Sequence, residues 1–484
     1  MPKIFFTAQL LFLFFLAKIL FFKQIAVSWE RADLFFFLFL FYNLVLGTAF
    51  SPAKYHFSLQ FLNLSFFFLF YLFLKREKPV LTGPLLSGLL LLLSLLVFLG
   101  KLKALPLSPR FYSTPLPFLP SGNPHYLAAL LIMLLPFSLF RLREKRYLSA
   151  ALAGSAALFA TSSEGALAAL AAVMLFYLFS GKRKIFLGML IFAAFLAFLV
   201  ACDRESKSSF ILRLHFHKIG FQILKSHPFG IGLGNLAAFY PPAQARYFSS
   251  SGTPEGSFPL TYQLHDEYFQ ILVESGIPGF VLFMIFMVSL YKNLSLDKED
   301  LPPFLSVCAV LVHALFFFPL HRPDALLFFV LILAAMKRKS EKTVVFENTG
   351  LLKTGLAAVL FLSYGYYLAL GLGDRIWQKG AEAFEAGRYA EAGASFRRAY
   401  LLTYNPELRF WSARCSYYLG EMAESIRIYE SLKGVIPSQD LFYNLGLAYF
   451  ASGRKEEARE NFLASLRISP DFIQARELFE KCSS

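Results

Sequence analysis

The sequence predicts an all-α protein in two parts: a polytopic bundle of membrane-spanning helices over residues 1–372, then a soluble helical solenoid over 373–484. Three observations carry this. Apolar runs of about 17–25 residues, long enough to cross a bilayer, recur from Phe5 to about Leu372. The basic residues between them gather in short clusters. From Gly373 the apolar runs stop and a repeating, charge-rich pattern begins.

Taken in order, spans are expected near 5–22, 34–50, 57–74, 81–100, 125–140, 147–161, 165–180, 185–201, 277–291, 301–319, 324–336 and 356–372, about twelve in all. Apolar residues make up 57% of the chain and charged residues 16%, which excludes a soluble protein for the first part. The net charge of +15 resembles a nucleic-acid signal only in sum. Its placement, in Lys75–Lys78, Arg141–Arg146, Lys182–Lys184 and Lys337–Lys339, is the positive-inside pattern of cytoplasmic loops, so no nucleic-acid partner is expected. With those clusters inside, Lys101–Pro124, Thr161–Glu164 and Cys202–His265 lie outside. Cys202, Cys308, Cys415 and Cys482 have no CxxC spacing, so neither a metal site nor a disulfide framework is indicated. The N-terminal apolar run is followed by no small-residue cleavage site and reads as a retained span.

The second part repeats with a period of 33 residues: Gly387, Gly420 and Gly453; Ala392, Ser425 and Ala458; Phe396, Tyr429 and Phe462. Pro437 and Pro470 close two units. A small residue at a helix crossing, an aromatic four later and a helix-ending proline resemble the tetratricopeptide repeat. Such units stack into a solenoid with a concave face that suits a protein partner. Unrelated helical hairpins are the plainer alternative. Four spans separate His265 from this domain, an even number, so the two are expected on the same side.

The stretch Gln263-Leu-His265-Asp266-Glu267-Tyr268-Phe269…Glu274-Ser-Gly276-Ile-Pro-Gly279 sets ionisable side chains at the foot of an apolar segment. Such groups are costly there unless used. A histidine at this boundary can meet both a water-soluble molecule and a lipid-anchored one, and is a base at its ordinary pKa. At a helix start, the dipole disfavours the charged imidazolium. Three further segments share its side: Arg110-Phe-Tyr-Ser-Thr-Pro…Gly122-Asn123-Pro124-His125-Tyr-Leu-Ala128, Thr161-Ser-Ser-Glu164-Gly165, and Arg213 followed by His227-Pro228-Phe-Gly230-Ile-Gly232-Leu-Gly234-Asn235.

In order and spacing these four segments resemble the O-antigen ligase family of bacterial membrane glycosyltransferases, over roughly residues 30–340. The resemblance implies a GT-C-like helical bundle in the inner membrane. The implied reaction moves a glycan from an undecaprenyl diphosphate carrier to a lipid or glycan acceptor hydroxyl on the outer face, inverting the sugar carbon without metal or cofactor. His265 matches the family's catalytic histidine. Arg213, then Arg110 and Arg246, are candidates for the diphosphate, because a guanidinium fork pairs phosphate oxygens and stays charged. The pattern departs at Glu164, where the family usually carries Arg, so no donor-binding role passes to that position. Asp266 replaces the usual Asn, and both cap helices.

Plainer readings stand beside these. His265 could be a helix-capping or interfacial histidine, Arg213 a snorkelling residue, and Arg110 and Arg246 solvated loop charges. Gly230, Gly232 and Gly234 read as turn-forming glycines. His215 and His217, two apart, lack a third metal ligand. An O-antigen-type polymerase and a protein O-oligosaccharyltransferase share fold and motifs with the ligase. A transporter or a membrane-anchored repeat scaffold is the rival from another class, but a transporter favours ionisable groups near mid-membrane. Here charges cluster at the outer ends of spans, apart from Lys18 and His313.

Overall fold

The structure, a computed structural model, describes residues 16–17, 21, 24–101, 123–178, 204–251, 259–297, 299–347 and 350–483. Strand β1 (Gln24–Trp29) leads into α1 (Arg31–Phe50), α2 (Lys54–Glu77), α3 (Gly83–Lys101), α4 (Pro124–Leu139), α5 (Lys145–Ala160) and α6 (Glu164–Leu178). There follow α7 (Arg204–Ser226), α8 (Leu236–Ser251), α9 (Glu267–Asn293), α10 (Leu301–His313), a 3-10 turn at Pro319–His321, α11 (Pro323–Ala335) and β2 (Lys342–Glu347). The long α12 (Gly350–Glu385) opens the repeat helices α13 (Tyr389–Thr403), α14 (Pro406–Tyr418), α15 (Met422–Leu432), α16 (Gln439–Ala451), α17 (Lys455–Ile468) and α18 (Ile473–Ser483).

Among the described residues, four helices are long and apolar enough to cross a membrane: α1, α2, α9 and the part of α12 from Lys353. Shorter apolar helices lie within α3, α4, α6, α10 and α11. The spans expected near 5–22 and 185–201 lie largely or wholly outside the described residues. The count of about twelve is therefore not reproduced by length and composition alone. The span expected at 301–319 is shorter: α10 stops at His313, whose carbonyl accepts from Phe316 and Phe317 at 3.0 and 3.1 Å. Pro319, which lacks an N–H and clashes in a helix interior, keeps the helix from resuming there.

Among the described residues, the regular structure is helical apart from one two-stranded sheet. β1 and β2 pair antiparallel, Gln24 opposite Glu347 and Trp29 opposite Lys342. Val27 faces Val344 within this ladder, the β-branched pairing that a pleated surface favours.

The basic clusters are not all loops. Lys75 Nζ meets Asp33 Oδ2 at 2.5 Å and Glu30 Oε1 at 3.2 Å, with all three side chains buried. Arg338 Nε reaches the same Glu30 oxygen at 3.0 Å, and its Nη2 donates to Tyr71 Oη at 3.0 Å. Asn293 Nδ2 donates to the other Glu30 oxygen. This knot ties together the start of α1 and the ends of α2, α9 and α11. Placing span charges only at the outer ends was thus incomplete: a second buried group closes the opposite end. Removing one partner of such a pair typically costs about 3–5 kcal/mol. Helix α11 runs from His321 at one end of the bundle to this knot at the other, so it joins both ends.

The stretch 202–265, expected as a polar loop, carries two helices with their own apolar core. Phe216, Ile219, Ile223, Leu236, Tyr240 and Leu264 are buried together there. Helix α8 packs on α17 of the repeat domain, and Gln244 Nε2 donates to the carbonyl of Ile468 at 3.0 Å. The repeat domain therefore docks at the His265 end.

Within the repeats the 33-residue pattern has a physical cause. Ala392, Ser425 and Ala458 are fully buried, as are Phe396, Tyr429 and Phe462 to within 1%. Each repeat glycine, Gly387, Gly420 and Gly453, turns its hairpin with φ between 75° and 81°. The boundary expected at 372/373 falls inside one unbroken helix, α12, which carries the chain directly from apolar sequence into the first repeat. Tyr367 Oη, just before that point, donates to Asn63 Oδ1 of α2 at 2.8 Å.

Candidate functional site

The four segments singled out in the sequence converge at one end of the bundle, as far as they are described. His265 precedes the helix cap of α9. Asp266 is that cap, its side chain accepting from the Phe269 N–H at 3.0 Å, an interaction whose loss typically costs about 1 kcal/mol. Its other carboxylate oxygen lies 3.5 Å from His217 Nε2. The backbone of His265 adopts φ 56°, a left-handed conformation unusual for a side-chain-bearing residue. The ring is set between aromatics: it stacks on Phe216 at 5.5 Å and meets Phe318 edge-on at 5.4 Å. Burial between these rings, helped by the positive charge of Arg213, pulls the imidazole down to about 4. The ring is therefore neutral near neutral pH, as expected, but burial is the main cause rather than the helix dipole.

Arg213 stands on α7 one turn before Phe216, which faces His265. Its guanidinium is partly buried and lies 3.9 Å from Glu164 Oε2. Burial depresses its pKa and the Glu164 carboxylate opposes that. The position where the sequence departs from the family pattern is thus the one that faces this arginine. Glu164 is 40% exposed, and an ion pair so open to solvent is worth only about 0–1 kcal/mol net.

Asn123 caps α4, accepting from the His125 N–H at 2.9 Å, and His125 Nδ1 lies 3.0 Å from the buried Ser163 Oγ. His313 Nε2 donates to the His125 carbonyl at 3.3 Å. The first two segments therefore lock to each other and to the end of α10, behind the ring of Phe317, which lies 4.8 Å from His125 and 6.2 Å from His265.

The glycine-rich loop after His227 is a bracket rather than a phosphate cradle. Gly230 has φ 95°, and a Cβ there would come within 2.5 Å of the Glu274 carbonyl. Facing it, Gly276 has φ 66° at the kink of α9, and a Cβ would come within 2.2 Å of the Phe229 backbone. Gly232 N donates to the Glu274 carbonyl at 2.8 Å, and Ile277 N to that of Pro228 at 2.9 Å. Asn235 Oδ1 accepts from Ser51 Oγ at 2.8 Å, which ties this loop to the end of α1.

Of the arginines expected to meet the diphosphate, only Arg213 belongs to the cluster among the described residues. Arg246 is exposed on α8 and is not among the charges that act on His265. Arg110 lies outside the described residues. His215 stacks on Phe248 at 5.4 Å while His217 faces Asp266, so the two point apart.

Sequence reasoning missed His321. Its Nδ1 donates to Glu267 Oε1 at 2.6 Å, and Glu267 Oε2 accepts from Leu320 N at 3.3 Å. Burial lowers the His321 pKa, but the Glu267 carboxylate outweighs it and lifts the ring to about 9. The one signal that could have found it is the Pro319-Leu-His321-Arg-Pro323 run, a polar pair held between two helix-breaking prolines.

Residues 148–284 match a family model described as O-antigen ligase, and residues 439–472 match a tetratricopeptide repeat. The first match takes in the Glu164, Arg213 and His265 segments and leaves out the Arg110–Ala128 segment. No curated protein was found to match the chain. The resemblance drawn from the motifs, a ligase-type membrane part followed by tetratricopeptide repeats, is borne out by these two matches.

Proposed function

We propose that this chain, with its O-antigen-ligase-type segment and C-terminal repeats, is an inner-membrane glycosyltransferase. It moves a glycan from an undecaprenyl diphosphate carrier to an acceptor hydroxyl, most simply that of a lipid A core. The observation that carries the reading is one juxtaposition: a neutral, aromatic-walled histidine beside a partly buried arginine, within the matched segment.

The chemistry follows from those two groups. A hydroxyl is a poor nucleophile until a base takes its proton, and neutral His265 accepts it as the oxygen attacks the sugar carbon. The bond from that carbon to the diphosphate oxygen breaks on the opposite face, so configuration inverts. The leaving diphosphate gains charge, and the Arg213 fork neutralises it with two parallel hydrogen bonds. An arriving diphosphate also offsets the positive field at His265 and raises its basicity at the moment it is needed.

A deletion strain tests the reading through its surface glycans. Loss of all polymer from lipid A is the expected result. Single-repeat attachment would instead identify a polymerase, and an unchanged glycan profile with an unglycosylated envelope protein would identify a protein glycosyltransferase.

The reading also fixes sidedness. The docking of α17 on α8 supports a repeat domain on the same side as His265, the outer one. Alkaline phosphatase fused after Ser484 is expected to be active. An inactive fusion, with a cytoplasmic reporter active at the same site, would overturn the shared-side arrangement.

A further inference from the structure

Helix α9 carries three buried polar side chains, Glu267, Gln270 and Glu274, exposed by 3%, 0% and 1%. Their spacing of three and four puts them on one helix face. Buried polar groups are costly unless each finds a partner, and here each partner belongs to a different strip of chain around His265. Glu267 grips the 3-10 turn through Leu320 N and His321 Nδ1. Gln270 Oε1 accepts from the N–H of Leu264, the residue before His265, at 3.2 Å, while its Nε2 donates to Glu274 Oε1 at 3.1 Å. The Glu274 carboxyl accepts from the backbone of Gly234 in the glycine loop. His321 is the node: it bonds Glu267 and lies 3.4 Å from the Gln270 amide.

The rings continue this framework. Phe216, His265, Phe318 and His321 follow one another with centroids 5.5, 5.4 and 6.5 Å apart. Phe318 thus stands between the two histidines. The left-handed backbone of His265 persists only where its surroundings over-determine it, since such conformations cost about 1–3 kcal/mol.

We propose that His321, clamped by Glu267, is a positioning residue that holds Phe318 against His265 and so fixes that ring's place and its exclusion from water. The proposal rests on the reading of His265 as the base. Arg213 and His217 of α7 and His125 of α4 also face the His265 ring, and Glu267 and Glu274 face His321. None of these needs to change for the wall to open.

The test follows the titration of His265 itself in the full-length protein, read as the rate at which diethyl pyrocarbonate modifies that residue across pH. This readout needs no substrate. In the parent protein the midpoint is expected near 4. In His321→Gln, with the wall loosened, it should rise by about one unit or more toward the ordinary 6.5. The double variant Glu267→Gln with His321→Gln removes both members of the clamped pair together, so it guards against a single variant that fails to fold. The same rise is expected there. An unmoved midpoint in a folded variant overturns the proposal, because a histidine serving stability alone would lower the melting temperature and leave His265 titrating as before. If the midpoint moves while glycan transfer does not, the positioning role stands and the assignment of His265 as the base fails instead.

Discussion

His265→Ala is expected to lower glycan transfer from the lipid-linked donor by a factor of about 10²–10⁴, the usual cost of losing a general base. The protein should still insert and fold, because the cap of α9 belongs to Asp266 and the ring makes stacking contacts rather than structural hydrogen bonds. The pH dependence should carry the signature of this environment. Below its pKa the imidazole already holds a proton and cannot take another. With the free ring held at about 4, kcat/KM should stay level through mildly acidic pH and fall only as pH drops through that value. The kcat profile, which reports the substrate complex, should fall at higher pH, because on the proposed reading a bound diphosphate would raise the ring's basicity. Parent-rate transfer by the purified Ala variant would remove His265 from the mechanism. A kcat/KM limb near 6.5 would show that the aromatic wall does not exclude water.

Arg213 should be nearly as sensitive, and in a different parameter. Arg213→Ala is expected to cost about 10²-fold or more in donor kcat/KM, the scale of losing one preorganised group that meets developing charge. Arg213→Lys should recover little, because a point charge cannot replace a two-pronged contact. The acceptor KM should move far less than the donor KM. Glu164 supplies a second arm. On the proposed reading its carboxylate, 3.9 Å from the guanidinium, would compete with an incoming diphosphate and repel it, so Glu164→Gln should tighten donor use in the parent. It should have no such effect once Arg213 is gone. Lys225, exposed on the same helix, is the control. If Lys225→Ala and Arg213→Ala lose activity equally, the arginine has no specific role.

How much of this was legible in the sequence depends on the physical range of each signal. The repeat domain could be read almost entirely, because Ala392, Phe396 and their counterparts 33 residues on recur where stacking demands a small or aromatic residue. Helix α9 and its cap could be read because Asp266 acts on a donor three residues away. The meeting of Arg213 with His265 was reachable only through the order of the four segments. What escaped depends on long-range pairing. Nothing near Lys75 announces Glu30 and Arg338 as partners, so a buried knot looked like a cytoplasmic loop charge. Nothing near His321 announces Glu267, more than fifty residues earlier. The strand pair β1 and β2 escaped for the same reason, its halves lying at opposite ends of the membrane part.

Helix α11 has one more consequence. Its 13 residues rise by about 20 Å, yet at both its ends stand buried charges, the His321–Glu267 pair and the Arg338–Glu30 pair. A bilayer's hydrocarbon is about 30 Å thick. Every residue of α11 is buried or half-buried, so the helix is a strut inside the protein rather than a wall facing lipid. It spans the separation of the two charged pairs, which is shorter than a bilayer's hydrocarbon is thick. Lengthening or shortening α11 by one turn would move the His265 end by about 5 Å relative to the knot.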